Sequence, residues 1–387
     1  MKYEQKSSDK LFSKAKELIP GGIFGHYKYA VRNEGPKFFS KAKDAYFWDV
    51  DGNKFIDLIC GWGPMILGYN NPIIDKAAQE QYSLGNTVSV ASPVMIELAE
   101  TLVDTVEIAE WALFGKNGGD STQLAVMISR QETGNNKVLK IDGGYHGANG
   151  WMQREGSPGT IDSDSSEVVS IPWNNIEEFD AAISKFENEI ACFISSPFHH
   201  PTSEDNVLPK KGYWEHIQKV CNEKNIIIIV DDVRTGFRID LAGSNQAFNF
   251  SPDLVCLGKA IANGYPISAL VGKNYLKEAA NKVYFSGTQF FNSAPMAAAI
   301  ATINELKNID AISLMQYHGN DLKNKMISMA KSYDIDLKVT GVPSMPYFRI
   351  ENDDKELHFK WVDNCCLLYT SDAADEGLGV DLGGRRI

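Results

Sequence analysis

The apolar run Ile226-Ile227-Ile228-Ile229-Val230 leads directly into Asp231-Asp232-Val233-Arg234-Thr235-Gly236. A β-branched run without polar alternation suits a strand covered on both faces, as in a parallel sheet, and not a half-exposed one. An acid at the end of such a strand must be paired. Asp231 stands where the strand would emerge, and ligands of open α/β sheets bind just outside those carboxyl ends. A second run, Leu254-Val255-Cys256-Leu257, meets Gly258-Lys259-Ala260 in the same way. Singly, an Asp pair opens many loops and most lysines are solvated surface charges. Together, two strand exits each deliver one ionisable residue.

A buried acid and a partly desolvated lysine are what pyridoxal phosphate needs. The lysine forms a Schiff base with the aldehyde, and the acid holds the ring nitrogen protonated so that the ring acts as an electron sink. At these residues the chain resembles the class III aminotransferases, whose signature reads Asp-Glu-Val-x-x-Gly followed by Gly-Lys or Ser-Lys. Within them it is most similar to the glutamate-1-semialdehyde 2,1-aminomutase-like branch, from about Leu11 to about Arg349. The resemblance implies an α/β fold of type I, with a mostly parallel seven-stranded sheet in a major domain and a smaller α+β domain. It also implies that Asp231 binds the pyridine nitrogen, Val233 packs under the ring and Lys259 carries the cofactor.

Other stretches extend the resemblance. Gly115-Lys116-Asn117-Gly118-Gly119-Asp120-Ser121 opens a helix, where free N–H groups and the positive dipole end favour phosphate. The family reads Asn-Ser-Gly-Thr-Glu-Ala there; Gly119 lacks a hydroxyl, yet Asn117, Gly118 and Gly119 keep backbone donors to cup the phosphate. The spacing of Thr133-Gly134, Lys137-Val138, Lys140, Gly143 and Tyr145-His146-Gly147 matches the family. Tyr145 is expected to stack on the ring face opposite Val233, with His146 either at the cofactor or a hydrogen-bonded loop residue. Thr288, after Phe285-Ser286-Gly287, is expected to reach the partner subunit's cofactor phosphate, which implies a homodimer with shared active sites.

The substrate side departs from the family. Aminomutases carry an arginine in the segment after Pro20-Gly21-Gly22; here the best-aligned cation is Lys28, near His26 and Arg32, one residue short in spacing. Lysine cannot supply arginine's bidentate fork. Trp62, in Gly61-Trp62-Gly63-Pro64, is a candidate wall of the substrate site, against the alternative of simple core. Where relatives have Glu-Pro and then Gly-Asn, this chain reads Ser195-Ser196-Pro197-Phe198-His199-His200. His199 is a candidate substrate contact; the pair lacks further ligands for a metal, and none is expected.

Composition bounds the rest. The chain has 387 residues, 43% of them hydrophobic, enough for a large core in two domains. A net charge of −12 without a basic run argues against nucleic acid or an anionic membrane as partner. Six cysteines without metal-ligand spacing read as reduced thiols, and a polar N-terminus without a long apolar span points to a cytoplasmic protein. The expected boundaries are 1–60 for the first part of the small domain, 61–308 for the cofactor-binding major domain, and 309–364 for an incomplete remainder of the small domain. Residues 365–387 have neither helical nor strand periodicity and resemble a translated sequencing adapter on a truncated frame, with a divergent native tail as the other reading.

The function so implied is ping-pong transfer of an amino group from a small-molecule amino donor to a keto or aldehyde acceptor. The alternatives are a glutamate-1-semialdehyde 2,1-aminomutase and, from a different class, a non-catalytic relative or inactive truncated fragment.

Overall fold

The computed structural model describes residues 5–25, 35–153, 156–201 and 204–351. Lys28, His26, Arg32, Cys365, Cys366 and the whole 365–387 stretch lie outside the described residues.

The chain divides into two compact units. The first comprises Met1–Trp62, Leu67–Asn71 and Ile350–Ile387. Its described part holds a helix α1 (Lys6–Leu18) and an antiparallel sheet of β1 (Phe39–Lys43), β2 (Tyr46–Asp49) and β3 (Lys54–Ile56). β2 and β3 form a hairpin, in the register Phe47 opposite Phe55. Buried Asp49 closes its turn by accepting from the N–H groups of Asp51 and Asn53, at 3.0 and 2.8 Å.

The second unit comprises Gly63–Ile66 and Pro72–Arg349. After helices α2 (Pro72–Leu84) and α3 (Val94–Val103) it builds β4 (Trp111–Gly115), α4 (Gly118–Thr133), β5 (Lys137–Ile141), β6 (Val168–Ile171), α5 (Ile176–Lys185), β7 (Ile190–Ser195) and α6 (Tyr213–Lys224). β8 (Ile227–Asp231), β9 (Leu254–Leu257) and β10 (Ser268–Gly272) complete a seven-stranded sheet in the order β4-β10-β9-β8-β7-β5-β6. β10 runs antiparallel to both its neighbours; β9, β8, β7, β5 and β6 pair parallel. The expected mostly parallel seven-stranded sheet is thus the observed one. Every residue of β7, β8, β9 and β10 is buried, which is why their sequences are continuous apolar runs and not alternating ones.

Helices α7 (Ser293–Asn308) and α8 (Ala311–Ser332) and a two-stranded sheet of β11 (Leu337–Thr340) and β12 (Tyr347–Ile350) follow. α3 ends at Val103 and α4 at Thr133, where Gly134 takes φ +71° and returns its N–H to the Arg130 carbonyl at 2.9 Å. The cysteines Cys192, Cys221 and Cys256 are buried free thiols. No helix among the described residues is long and apolar enough to cross a membrane.

Candidate active site

The parallel strands release their chains at one edge of the sheet, and most of the residues singled out in the sequence lie there. Asp231 is the last residue of β8 and is 6% exposed. Its Oδ2 lies 2.7 Å from His146 Nδ1, and its Oδ1 accepts the Val233 N–H at 3.1 Å. A carboxylate can only accept, so Nδ1 of the 4%-exposed His146 carries a hydrogen. Its Nε2 is buried and has no hydrogen-bond partner among the described residues. The loop bearing His146 follows β5 and is tied to α4, where the buried Thr122 hydroxyl donates to the His146 carbonyl at 2.6 Å.

Asp232 turns the other way. Its Oδ1 accepts from the Thr235 hydroxyl at 2.5 Å and its Oδ2 from the Ser244 N–H at 3.1 Å. Burial raises its carboxyl above the usual range, and these bonds oppose the rise. Gly236 completes the turn with its N–H on the Asp232 carbonyl at 2.7 Å. A side chain at Gly236 would stand 2.6 Å from that same oxygen, so the Gly of the motif is required by the turn itself.

Lys259 begins the short 3-10 turn Lys259–Ala262 just past β9, with φ +43°. A left-handed backbone is uncommon for a lysine, and such conformations concentrate at functional sites. β8 and β9 pair with Asp231 opposite Cys256, which brings the two strand exits side by side. Burial pushes the Lys259 amine down from the ordinary 10.5 to about 8; Asp231 opposes the fall, and the Arg234 and Arg238 cations deepen it. Arg238 is itself held by the Gly63 carbonyl, and a Cβ built on Gly63 would touch Lys259 Cδ at 3.4 Å.

Val233 fills the space between the strand exits. A Cβ on Gly118 would come within 2.6 Å of Val233 Cγ1, and one on Gly258 within 3.1 Å. Gly118 is the first residue of α4, with Asn117 as its N-cap. Asp120 Oδ2 accepts the N–H groups of Lys116 and Asn117 at 2.9 and 2.7 Å. The N–H groups of Gly118 and Gly119, in the first turn, have no carbonyl one turn back to bond.

The remaining sequence candidates are more dispersed. Tyr145, beside His146, is 76% exposed. Thr288 is exposed at the start of the turn Thr288–Phe291 and shares no hydrogen bond with the residues above. The His199 ring lies against Trp173, 6.3 Å between centroids, and its backbone pairs with Val207. Trp62 belongs to the first unit and has φ +69°. Arg234, not singled out in the sequence, and His200, considered there only as half of a histidine pair, join here: Arg234 Nη1 donates to the His200 carbonyl at 2.7 Å and meets its ring Nδ1 at 3.1 Å. The available signal was a charged residue at a variable position of the Asp-Asp-Val-x-x-Gly motif.

Comparison with known proteins follows the same lines. The profile of the family Aminotransferase class-III matches residues 29–384. The chain is 35% identical over 357 residues to an aminopentol aminotransferase of Sphingopyxis macrogoltabida, covering 92% of this chain and 84% of that protein. It is 33% identical over 371 residues to a glutamate-1-semialdehyde 2,1-aminomutase of Methanocaldococcus jannaschii, covering 92% and 85%. The solved structure of the FumI protein of Sphingopyxis sp. MTA144, in its PLP internal aldimine form, superposes with a TM-score of 0.86 at 35% identity, covering 89% of this chain and 83% of that one. The chain belongs to the class III aminotransferases, enzymes that move amino groups with pyridoxal phosphate.

Proposed function

We propose that this enzyme is an amino-donor-dependent transaminase in which Lys259 carries the cofactor and Asp231 supports its ring nitrogen. The observation that carries the reading is the pairing of a left-handed, half-buried Lys259 whose amine is pushed down to about 8 with a buried carboxylate on the adjoining strand exit. The residues fit pyridoxal phosphate. The glycines at 118 and 258 leave a floor of Val233 that a Cβ would fill, and the buried His146 Nε2 behind Asp231 has no hydrogen-bond partner among the described residues. Asn117, Gly118 and Gly119 are the proposed phosphate cup; the free first-turn N–H groups of Gly118 and Gly119 in a 16-residue helix support it, while the Asn117 N–H is held by Asp120. Tyr145 is the proposed ring-stacking partner, for which its exposed face is available.

When bound, the cofactor supplies an aldehyde for the amine and an electron sink for the carbon next to nitrogen. The chain's own residues do the rest. Lys259 Nζ, half in its neutral form near pH 8, would be nucleophilic enough to hold the cofactor's aldehyde and, as a free amine, basic enough to take a proton from the amine-bearing carbon of the substrate. Asp231 presents a negative charge whose plane is fixed by one hydrogen bond on each oxygen. His146 is a positioning residue: its Nδ1–H orients Asp231, and Thr122 orients His146. Lys28, Trp62 and His199 are the further proposed substrate contacts.

The same reading includes a homodimer in which Thr288 serves the partner's cofactor. Its support is a set of exposed apolar side chains, Tyr82, Leu84, Val88 and Val90 on one segment and Tyr284 and Phe291 either side of Thr288 in the chain. The segment bearing the first four is joined to the start of α7, where the Ser293 hydroxyl donates to the Gly85 carbonyl at 2.7 Å and the Ala294 N–H to Asn86 Oδ1 at 3.0 Å. A cytoplasmic setting is proposed from the free thiols of Cys192, Cys221 and Cys256.

The test is a single turnover without acceptor. Holoenzyme mixed with an amino donor should release about one equivalent of carbonyl product per subunit and then stop until a keto or aldehyde acceptor is added. Turnover that needs no donor and only rearranges glutamate semialdehyde would make it a mutase instead.

A further inference from the structure

Arg234 is a half-buried cation without an acid. Of its donors, Nη1 is engaged by the carbonyl and ring Nδ1 of His200, at 2.7 and 3.1 Å. Nε and Nη2 have no partner among the described residues, and no carboxylate there forms an ion pair with the guanidinium. The two acids of the same loop are committed elsewhere, Asp231 to His146 and Val233, Asp232 to Thr235 and Ser244. The strand exit across from it reads Ser195-Ser196 and offers no carboxylate.

His200 does not supply the missing anion, but it does aim the cation. Because Arg234 donates to its Nδ1, the hydrogen of the neutral ring sits on Nε2. Burial and the Arg234 charge hold the ring far below its ordinary value, at about 3, so it stays a neutral acceptor throughout the working pH range. The carbonyl and ring together grip one corner of the guanidinium. The Nε–Nη2 edge is left open, and that edge has the spacing of the two oxygens of a carboxylate.

The position is next to the chemistry. Arg234 follows Val233, which lies against Gly118 and Gly258, and its charge acts on Lys259. A desolvated guanidinium without a protein anion at such a place is a site for an anion brought by the substrate.

We propose that the open Nε–Nη2 edge of Arg234 binds the carboxylate of the amino donor and of the keto-acid acceptor, so that this residue selects carboxylate-bearing substrates. The inference rests on the transaminase reading above and names the substrate class of that site. His200 is the positioning residue, acting through Arg234.

The test compares wild-type, Arg234→Met and Arg234→Lys holoenzymes. Donors are alanine, β-aminobutyrate and γ-aminobutyrate, each set against the same amine without its carboxylate: ethylamine, isopropylamine and propylamine. Donor half-reactions give kcat/KM, and titration calorimetry with propionate, which bears no amine, reports carboxylate binding directly. Loss of a charged hydrogen-bonded contact should lower kcat/KM for the best amino acid roughly 10- to 100-fold in Arg234→Met and weaken propionate by a similar factor. The matched amine should lose far less than the amino acid, only what removing a cation near Lys259 changes, so the amino-acid-to-amine ratio falls, and Arg234→Lys should recover part of that ratio. Equal losses on both members of a pair, or propionate binding that ignores the substitution, would overturn the proposal. Borohydride labelling of Lys259 in the same preparations reports separately on the transaminase reading. If that label is absent, the propionate titration still decides whether Arg234 binds carboxylate.

Discussion

Lys259 shows how a single residue is tuned by its place in the chain. Desolvation is the largest influence on its amine, and the Asp231 charge only partly restores the cationic form. With a depressed value, the neutral amine becomes abundant once the pH rises past about 8, instead of past 10.5. The rate at which cofactor-free protein captures pyridoxal phosphate should therefore climb with pH up to about 8 and level off above it. Stopped-flow absorbance across pH 6 to 11 reads this directly, and a rate still rising at about pH 10, as for a solvated lysine, would contradict it. At this scale the sequence was informative where a residue's role follows from standing at a strand exit, as for Asp231 and Lys259. It was silent where the role depends on a side chain from another exit. The grip of His200 on Arg234 joins residues separated by a helix and a strand, and only the parallel pairing of β7 and β8 brings them together.

The element that organises the site is the turn between β8 and the Gly236 loop, packed against the start of α4. Glycine at 118 is a packing requirement there, since a methyl group would press into Val233 at 2.6 Å. Gly118→Ala should displace Val233, cost about 1–3 kcal/mol of stability in urea unfolding and weaken pyridoxal phosphate binding at least tenfold. Unaltered cofactor affinity in a folded variant would contradict the proposed floor. The buried strands were legible because uninterrupted runs such as those of β7, β8 and β9 have little choice but a covered sheet. Their direction was not. β10 is as apolar as its neighbours but runs antiparallel between β4 and β9, a pairing fixed by connections and not by the composition of Ser268–Gly272. Helix α5 does carry a capping residue, Asn175, whose side chain accepts the Glu178 N–H at 3.1 Å, whereas α6 starts after Gly212 without a side-chain cap.

For the whole molecule, the proposed cover of the exposed apolar side chains at residues 82–90, Tyr284 and Phe291 is a second copy of the chain. Sedimentation equilibrium should give about twice the 42.9 kDa chain mass. Leu84→Asp and Val90→Asp, each placing a charge on a side chain now 83% or 74% exposed in the single chain, should shift the protein toward one-chain mass and loosen the cofactor. A wild-type protein at single-chain mass with tightly held cofactor would contradict the shared site. The central claim, however, is that one lysine holds the cofactor. Holoenzyme is reduced with borohydride, digested and mapped by mass spectrometry. The expected result is a pyridoxyl label on Lys259 alone, absent in Lys259→Ala along with the visible absorption of the bound cofactor. A label on another lysine, or an unchanged spectrum in the variant, would contradict it.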